Sequence, residues 1–378
     1  MKITIVAGAR PNFMKIAPII HAIEKQNSND RILQYRLVHT GQHFDEAMSN
    51  TFFRELNIPE PHINLGGGGG SQAEQTANIM VAFEKDLLDN PADLVLVVGD
   101  VTSTMACSIV AKKLHTKVAH VEAGIRSFDM SMPEEINRLV TDSITDYYFT
   151  TTLWAGENLS KAGVEAGKVH FVGNVMIDTL LANESRFSAP KIWNELDLKP
   201  SEYLVMTLHR PGNVDEELKF SELLDTIMSN STGLPVVFPV HPRTKAVIDK
   251  LISKQGQLKE GISVEKTGWY NNLHMIAPLG YLEFNFLVKH AKAVITDSGG
   301  ITEETTVMGV PCLTLRENTE RPETCEIGTN ELIGTSPEAL KLALKKLFQG
   351  QWKTGSIPEK WDGHSAERIV EVLKKFNG

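Results

Sequence analysis

The sequence predicts an α/β protein built from two Rossmann-like, doubly wound parallel-sheet domains facing each other across a cleft. Three observations predict it. Short β-branched runs alternate with longer amphipathic segments along the chain, the order produced by parallel βαβ units. Several short runs, such as Leu94–Val98, are apolar at every position, which suits strands covered by helices on both faces. The alternation then starts again midway, and 378 residues are too many for one ordinary core and about right for two.

In the first half, strands are expected at Ile3–Ala7, Tyr35–Thr40, Leu94–Val98, Val118–Val121 and Tyr147–Thr150, with helices at Lys15–Glu24, Gln75–Leu88 and Thr102–Leu114. In the second half, strands are expected at Leu204–Leu208, Pro235–Val240, Val294–Thr296 and Pro311–Leu315, with helices near Glu217–Ser229, Phe284–Lys289 and Thr302–Met308. The Gly173–Asn174 turn and the polar stretch after it suggest a boundary, giving domains 1–178 and 179–363. A last helical segment, about His364–Phe376 within 364–378, belongs to either domain by its sequence. Crossing back onto the first is common in paired folds of this type. Gly66–Gly70 reads as a loop, either a plain linker or a flap.

Composition narrows the function. Hydrophobic residues at 42% and charged residues at 22% suit a globular protein. A formal charge of -9 supplies no global positive field, so nucleic acid is not an expected partner. Cys107, Cys312 and Cys325 are too scattered for a disulfide framework or a zinc site. Met1 leads directly into a strand-like run without a charged leader or cleavage site, and no apolar stretch reaches membrane-spanning length. The expectation is a cytoplasmic protein with no membrane partner. The five tryptophans are dispersed and read as packing residues.

In open parallel sheets, ligands bind beyond the carboxyl ends of the strands. Here those ends carry Gly8-Ala9-Arg10-Pro11 with Lys15 following, Thr40-Gly41-Gln42-His43, Gly99-Asp100, Glu122-Ala123-Gly124, His209-Arg210, His241-Pro242-Arg243, Asp297-Ser298-Gly299-Gly300 and Arg316. The Asp297–Gly300 turn joins a strand to a helix, and its glycines would let an anion approach the amides at the helix's positive end. The alternative is a plain turn in which Ser298 or Thr302 caps the helix and Glu303 and Glu304 complement its dipole. Glu304 also suits the vicinal hydroxyls of a ribose. Neither turn is a P-loop or a GxGxxG fingerprint, so neither NAD nor ATP hydrolysis is supported.

Asp100 and Glu122 follow neighbouring strands. Glu134 and Arg138 stand at i and i+4 on a helix opening at Pro133, a spacing that also fits an ordinary surface ion pair. Several acids beside Arg10, Lys15 and Arg138 suggest acid/base chemistry near an anionic leaving group. His209 is as compatible with a structural as with a catalytic role, and for His241 the structural one is preferred. No histidines and carboxylates share metal-ligand spacing on one element, so no metal and no cofactor are expected.

Taken together, the motifs resemble a known family. They are Gly8-Ala9-Arg10-Pro11 with Lys15, Gly99-Asp100, His120-Val121-Glu122-Ala123-Gly124-Ile125-Arg126, Pro133-Glu134-Glu135 with Asn137-Arg138, Thr296-Asp297-Ser298-Gly299-Gly300-Ile301 with Glu303-Glu304, and Glu320-Arg321-Pro322-Glu323. In this order they are similar to the non-hydrolysing UDP-N-acetylglucosamine 2-epimerases, and the similarity runs from residue 3 to about residue 334. The resemblance implies a GT-B fold with a UDP-binding second domain, a homodimer, and a UDP-sugar substrate. It implies reversible epimerisation of UDP-N-acetylglucosamine to UDP-N-acetylmannosamine, by anti elimination of UDP to a 2-acetamidoglucal and re-addition, supplying surface polysaccharide precursors. By the same resemblance, Asp100, Glu122 and Glu134 are the acid/base carboxylates, unassigned among themselves. Arg10, Lys15, Arg138 and His209 belong to the phosphate and leaving-group environment, with His209 also a catalytic candidate. His241 is carried over as a substrate-binding position. Ser298, Gly299 and Gly300 contact the diphosphate, Glu304 the ribose, Phe284 neighbours the uracil, and Arg321 lies in the binding cleft.

The sequence departs from the family's commonest pattern in four places. Asn12 replaces a frequent Glu, and His209-Arg210-Pro211-Gly212-Asn213 replaces His-Arg-Arg-Glu-Asn. Pro242-Arg243-Thr244 follows His241 where Leu-Asn-Pro is frequent, and Phe44-Asp45 follows Gln42-His43 where some members carry residues of allosteric activation. A related UDP-acetamido sugar is therefore an alternative substrate. A GT-B glycosyltransferase, a hydrolysing epimerase and a silent nucleotide-sugar sensor are alternative functions.

Overall fold

The computed structural model describes residues 1–28, 32–42, 53–214, 216–240, 244–245, 248 and 272–376. It divides into two compact units, Met1–Glu184 with Glu359–Gly378, and Ser185–Pro358.

The first unit holds a seven-stranded parallel sheet in the order β3-β2-β1-β4-β5-β6-β7. Its strands are β1 (Lys2–Ala7), β2 (Gln34–His39), β3 (Ile63–Asn64), β4 (Leu94–Val98), β5 (Lys117–Val121), β6 (Tyr147–Thr150) and β7 (Val169–Phe171). The order reverses between β1 and β4, the switch point where loops diverge and leave a crevice at the carboxyl ends. The register pairs Val97 with His120 and Val98 with Val121, so Gly99-Asp100 and Glu122 leave adjacent strands at the same level.

The helices of this unit are α1 (Arg10–Asn27), α2 (Gln72–Asp89), α3 (Thr102–Lys113), α4 (Pro133–Ile144), α5 (Leu153–Lys161) and α6 (Val175–Asn183). One sheet face carries Val6, Val38, Val95, Val97 and Val118 against Ile79 and Phe83 of α2 and Val110 of α3. Such alternation follows from the two-residue period of strands. α2 starts three residues before the hydrophobic pattern does. Ser71 accepts from the Glu74 amide at 3.3 Å while Glu74 accepts from the Ser71 amide at 2.8 Å, a reciprocal cap that satisfies two orphan donors.

A C-terminal helix, Ser365–Lys375, packs against α1 and α6. Its first amides, on Ser365 and Ala366, donate to the Asp178 carboxylate at 3.1 and 2.6 Å. Ahead of it Trp361 is 1% exposed and donates its indole N–H to the Thr151 carbonyl at 3.1 Å. Phe376 stacks on Tyr147 with ring centroids 3.8 Å apart.

The second unit holds a six-stranded parallel sheet in the order β10-β9-β8-β11-β12-β13. Its strands are β8 (Leu204–Thr207), β9 (Val236–Pro239), β10 (Leu273–Ile276), β11 (Ala293–Thr296), β12 (Cys312–Thr314) and β13 (Asn330–Leu332). Its helices are α7 (Lys191–Glu195), α8 (Pro211–Val214), α9 (Glu217–Asn230), α10 (Tyr281–His290), α11 (Gly299–Met308), α12 (Pro322–Glu326) and α13 (Pro337–Phe348). Leu204 and Met206 point to the face packed by Phe220, Leu224 and Leu344, and Tyr203 and Val205 to the face packed by Leu287 and Val288. Among the described residues no helix is long and apolar enough to cross a membrane.

The sequence expectation omitted β3, β7, β10 and β13, and these are the four edge strands of the two sheets. Edge strands are short and lie half in solvent, so they lack the continuous apolar run of a central strand. β7 and β10 are half-buried at every position. α1 and α11 also begin earlier than expected, at Arg10 and Gly299, because prolines, glycines and polar residues in a first turn mask its periodicity.

The indole of Trp361 closes the junction through which the chain returns to the first unit. Trp361→Ala should cost about 3–5 kcal/mol, as expected for a buried large-to-small change, and lower the thermal midpoint. Calorimetry showing an unchanged transition would contradict this.

Candidate active site

In the first unit the site is assembled at the exits of β1, β4 and β5. The Asn12 side-chain oxygen accepts from the amides of Gly8 and Ala9 at 3.0 and 3.1 Å. Its amide nitrogen donates to the Val98 carbonyl at 3.1 Å, tying the β1 exit to β4. One turn later Lys15, 7% exposed, sets its ammonium on the buried carboxylate of Glu122. Gly99 has φ 67°, and a Cβ there would fall 2.8 Å from the Lys15 ammonium and 3.4 Å from the Glu122 carboxylate. The backbone must therefore pass bare at this point. Glu122 itself is left-handed, with φ 71°, a conformation costing a non-glycine residue about 1 kcal/mol.

Asp100 is half-buried and accepts from Arg138 Nε at 3.1 Å and Nη2 at 2.6 Å. Arg138 Nη1 donates to Glu135 at 2.8 Å. Glu135 also accepts from the Ser127 amide and hydroxyl at 2.9 and 3.0 Å and from the Phe128 amide at 3.2 Å. The two acids at adjacent strand ends are thus each set against a cation, Glu122 against Lys15 and Asp100 against Arg138. Arg10 is exposed at the start of α1.

The expected Glu134–Arg138 pair is not what forms. Arg138 turns to Glu135 at i+3 spacing and to Asp100, while Glu134 is exposed. Glu135 lies on the buried face of α4, where the Ser127 and Phe128 amides need an acceptor. Glu134 stands on the exposed face of α4.

In the second unit the centre is Asp297, fully buried after β11. Its carboxylate accepts from the His209 amide at 3.2 and 3.1 Å, the Arg210 amide at 2.9 Å and Asn213 Nδ2 at 3.1 Å. His209 Nδ1 lies 2.8 Å away, on a side chain that is 62% exposed. Burial pushes the Asp297 carboxyl up, but the His209 hydrogen bond and charge and the surrounding donors outweigh it and hold it below its ordinary value.

Ser298 precedes α11 but its side chain does not cap it. The Ser298 amide donates to Thr296 at 3.0 Å, and the Thr302 hydroxyl donates to the Gly299 carbonyl at 2.6 Å. The capping role read for Ser298 or Thr302 is therefore not what the side chains do. The first amides of α11, on Gly299 and Gly300, stand at the positive end of the helix. Glu304, also buried, accepts from the Tyr281 hydroxyl at 3.0 Å. Phe284, half-buried on α10, packs on the adjoining core. Arg316 donates to Glu320 at 2.5 Å, and Arg321 pairs with Glu303. His241 lies outside the described residues. The sequence motifs contain Asn12, Glu135 and Asn213 without assigning them a role, and Arg316 stood there only as a polar strand end. Their signal was their place inside or beside the recurring motifs, which does not say what their side chains hold.

Among the described residues no group of three or more histidine, cysteine or acidic side chains is arranged to hold a metal.

Two doubly wound parallel-sheet units, with acids, cations and a helix N-terminus at their strand ends, define the GT-B class. The sequence model of the UDP-N-acetylglucosamine 2-epimerase family matches residues 25–374. The chain belongs to this family and is an isomerase. It is 40% identical over 381 residues to the UDP-N-acetylglucosamine 2-epimerase of Methanocaldococcus jannaschii, covering 99% of both. It is 37% identical over 386 residues to the UDP-2,3-diacetamido-2,3-dideoxy-D-glucuronate 2-epimerase of Pseudomonas aeruginosa, covering 100% of both. The crystal structure of the M. jannaschii enzyme with UDP-GlcNAc and UDP superimposes with a TM-score of 0.84 at 39% identity, over 99% of this chain and 100% of that one.

Glu323, in the segment beside Arg321, is 7% exposed, and its Oε2 has no hydrogen-bond partner among the described residues. Burial pushes its carboxyl up to about 7, aided by Glu303 and Glu326 and opposed by Arg321. A raised carboxyl favours folding below its unfolded value of about 4.3, and that stability is lost as pH rises towards 7. Glu323→Gln should therefore match the wild type near pH 4 and be more stable by roughly 3–4 kcal/mol at pH 8. Urea unfolding at both pH values checks it; parallel pH dependences in the two proteins would contradict it.

Proposed function

We propose that the chain interconverts UDP-N-acetylglucosamine and UDP-N-acetylmannosamine by inverting C2. A carboxylate of the Asp100, Glu122 and Glu134 group takes the C2 proton. The C–H electron pair becomes a C1–C2 double bond, the C1–O bond breaks, and UDP departs from the opposite face with that bond's electrons. Re-addition of UDP and return of a proton to the other face of C2 complete the inversion. The observation that carries this reading is the pair of acids, Asp100 and Glu122, at adjacent ends of one sheet, each against a cation.

The remaining roles follow from charge and shape. Lys15, Arg138, Arg10 and His209 offset the negative charge that grows on the leaving diphosphate. Ser298, Gly299 and Gly300 present amides to that diphosphate. Glu304 takes the ribose hydroxyls, Phe284 flanks the uracil, and Arg321 and His241 complete the binding surface. Polysaccharide precursor synthesis in the cytoplasm is the setting we propose, in keeping with the free thiols of Cys107, Cys312 and Cys325.

A related UDP-acetamido sugar is the second reading. It is supported by the diacetamido-glucuronate specificity named for the P. aeruginosa relative and by Asn12 and Pro211-Gly212 at the strand ends. We also propose a homodimer. Phe128, Met130, Ile136, Leu139 and Leu153 are exposed apolar side chains on the first unit, with Phe128 6.3 Å from the Trp154 ring, and such patches mark association surfaces. Sedimentation at the mass of one chain would refute the dimer.

Incubation with UDP-N-acetylglucosamine in deuterium oxide should put deuterium at C2 and produce a second anomeric signal in the NMR spectrum. Exchange with the diacetamido sugar alone would select the second reading, and no exchange with either would refute epimerisation. Asp100→Asn and Glu122→Gln should each slow turnover by about 100-fold or more while UDP affinity stays within a few-fold. Wild-type turnover in both would remove these acids from the chemistry.

A further inference from the structure

His120 lies on β5 with no exposed surface, two residues before Glu122. Both of its ring nitrogens meet acceptors: Nδ1 is 2.7 Å from Asp142 Oδ1, and Nε2 is 2.8 Å from the Gly99 carbonyl oxygen. A carbonyl oxygen only accepts. Asp142 is paired with the guanidinium of Arg126, which is always charged, so its carboxylate acts as an acceptor; burial pushes its carboxyl up, but His120 and Arg126 outweigh that and hold it below its ordinary value. Its second oxygen accepts from the Gly124 amide at 3.1 Å and faces Arg126 Nη1 at 2.6 Å. A neutral imidazole has one N–H and one lone pair, so it would turn that lone pair against one of these two oxygens. The arrangement is satisfied only when both ring nitrogens carry hydrogen.

The groups around this histidine are Asp142 from α4, Arg126 from the segment after β5 and the Gly99 carbonyl from the exit of β4. Tyr148 of β6 donates its hydroxyl to the Asp142 carbonyl at 2.7 Å. The positive ring meets the Asp142 carboxylate at the point of burial and shares it with the Arg126 guanidinium, so the buried charge is paired. The clamp holds the backbone on both sides of the two acids. Gly99 immediately precedes Asp100, and Gly124 follows Glu122 by two residues. At Gly124 φ is 79° and a Cβ would lie 2.2 Å from the Ala155 carbonyl, so only glycine fits there, and Asn158 donates to the Gly124 carbonyl at 3.0 Å.

We propose that His120 is a charged positioning residue, an imidazolium that with Asp142 locks the Gly99 carbonyl and the Gly124 amide and thereby fixes where Asp100 and Glu122 stand. The positioning half of this proposal rests on the acid/base reading of those two carboxylates; the charged state of the ring does not. His120 touches no reacting atom. It acts through the backbone, and displacement of a catalytic group by about 1 Å costs on the order of 100-fold in rate.

The first test uses the whole chain labelled with 15N-histidine, with the His120 resonances assigned by their loss in His120→Gln. Both ring nitrogens should report the doubly protonated form in the folded wild type at pH 7, and Asp142→Asn should leave His120 as a neutral tautomer at that pH. A wild-type ring with one protonated and one bare nitrogen at pH 7 would overturn the proposal. The second test is kinetic. His120→Gln, shown to be folded by its circular dichroism, should lower kcat by about 10–100-fold with UDP affinity within three-fold, and Asp142→Asn should do the same. Wild-type kcat in a folded His120→Gln protein would overturn the positioning role. If Asp100→Asn and Glu122→Gln remained fully active while the ring proved doubly protonated, the acid/base reading would fail and the charged clamp would stand.

Discussion

The strand ends of each unit depend on a carboxylate withdrawn from water and surrounded by donors. An isolated buried carboxylate is prohibitively costly, so each must collect hydrogen bonds from several chain segments at once. In the first unit Asp142 gathers His120, Arg126 and the Gly124 amide. In the second, Asp297 gathers the His209 and Arg210 amides and Asn213. Each carboxylate therefore converts a set of loops, free to move by their sequence, into one fixed surface. Removing either would leave several buried donors unanswered, which costs more than the bonds themselves contribute.

The ion pairs at the site inherit their geometry from this arrangement. Lys15 can reach Glu122 because Asn12 ties the β1 exit to β4 and because Gly99 carries no side chain. Arg138 can serve Asp100 because Glu135 holds its other end. Asn12 and Asn213 are neutral amides that both donate and accept, suited to joining carbonyls, amides and carboxylates without adding charge beside an anionic ligand.

Central strands were legible in the sequence because burial on both faces leaves an uninterrupted apolar run, as in Leu94–Val98. The edges were not, since Ile63–Asn64 buries neither residue and Asn330–Leu332 only its first. The candidate acids were legible because polar residues directly after apolar strands are conspicuous. Their supports were not. Glu134 and Glu135 are neighbours in sequence, and only the amides of Ser127 and Phe128 decide which one turns inward. His120 and Asp142 stand on different elements, 22 residues apart, with nothing in their spacing to announce a contact.

The first unit is not continuous along the chain, since residues 359–376 complete it after the whole of the second has been traversed. During synthesis, the early segments must wait for this late one before Thr151, Asp178 and Tyr147 receive their partners. The nascent first unit thus emerges with an open seam, while the second holds all its own strands by residue 332. Maturation runs against the order of translation: the part made first is finished last.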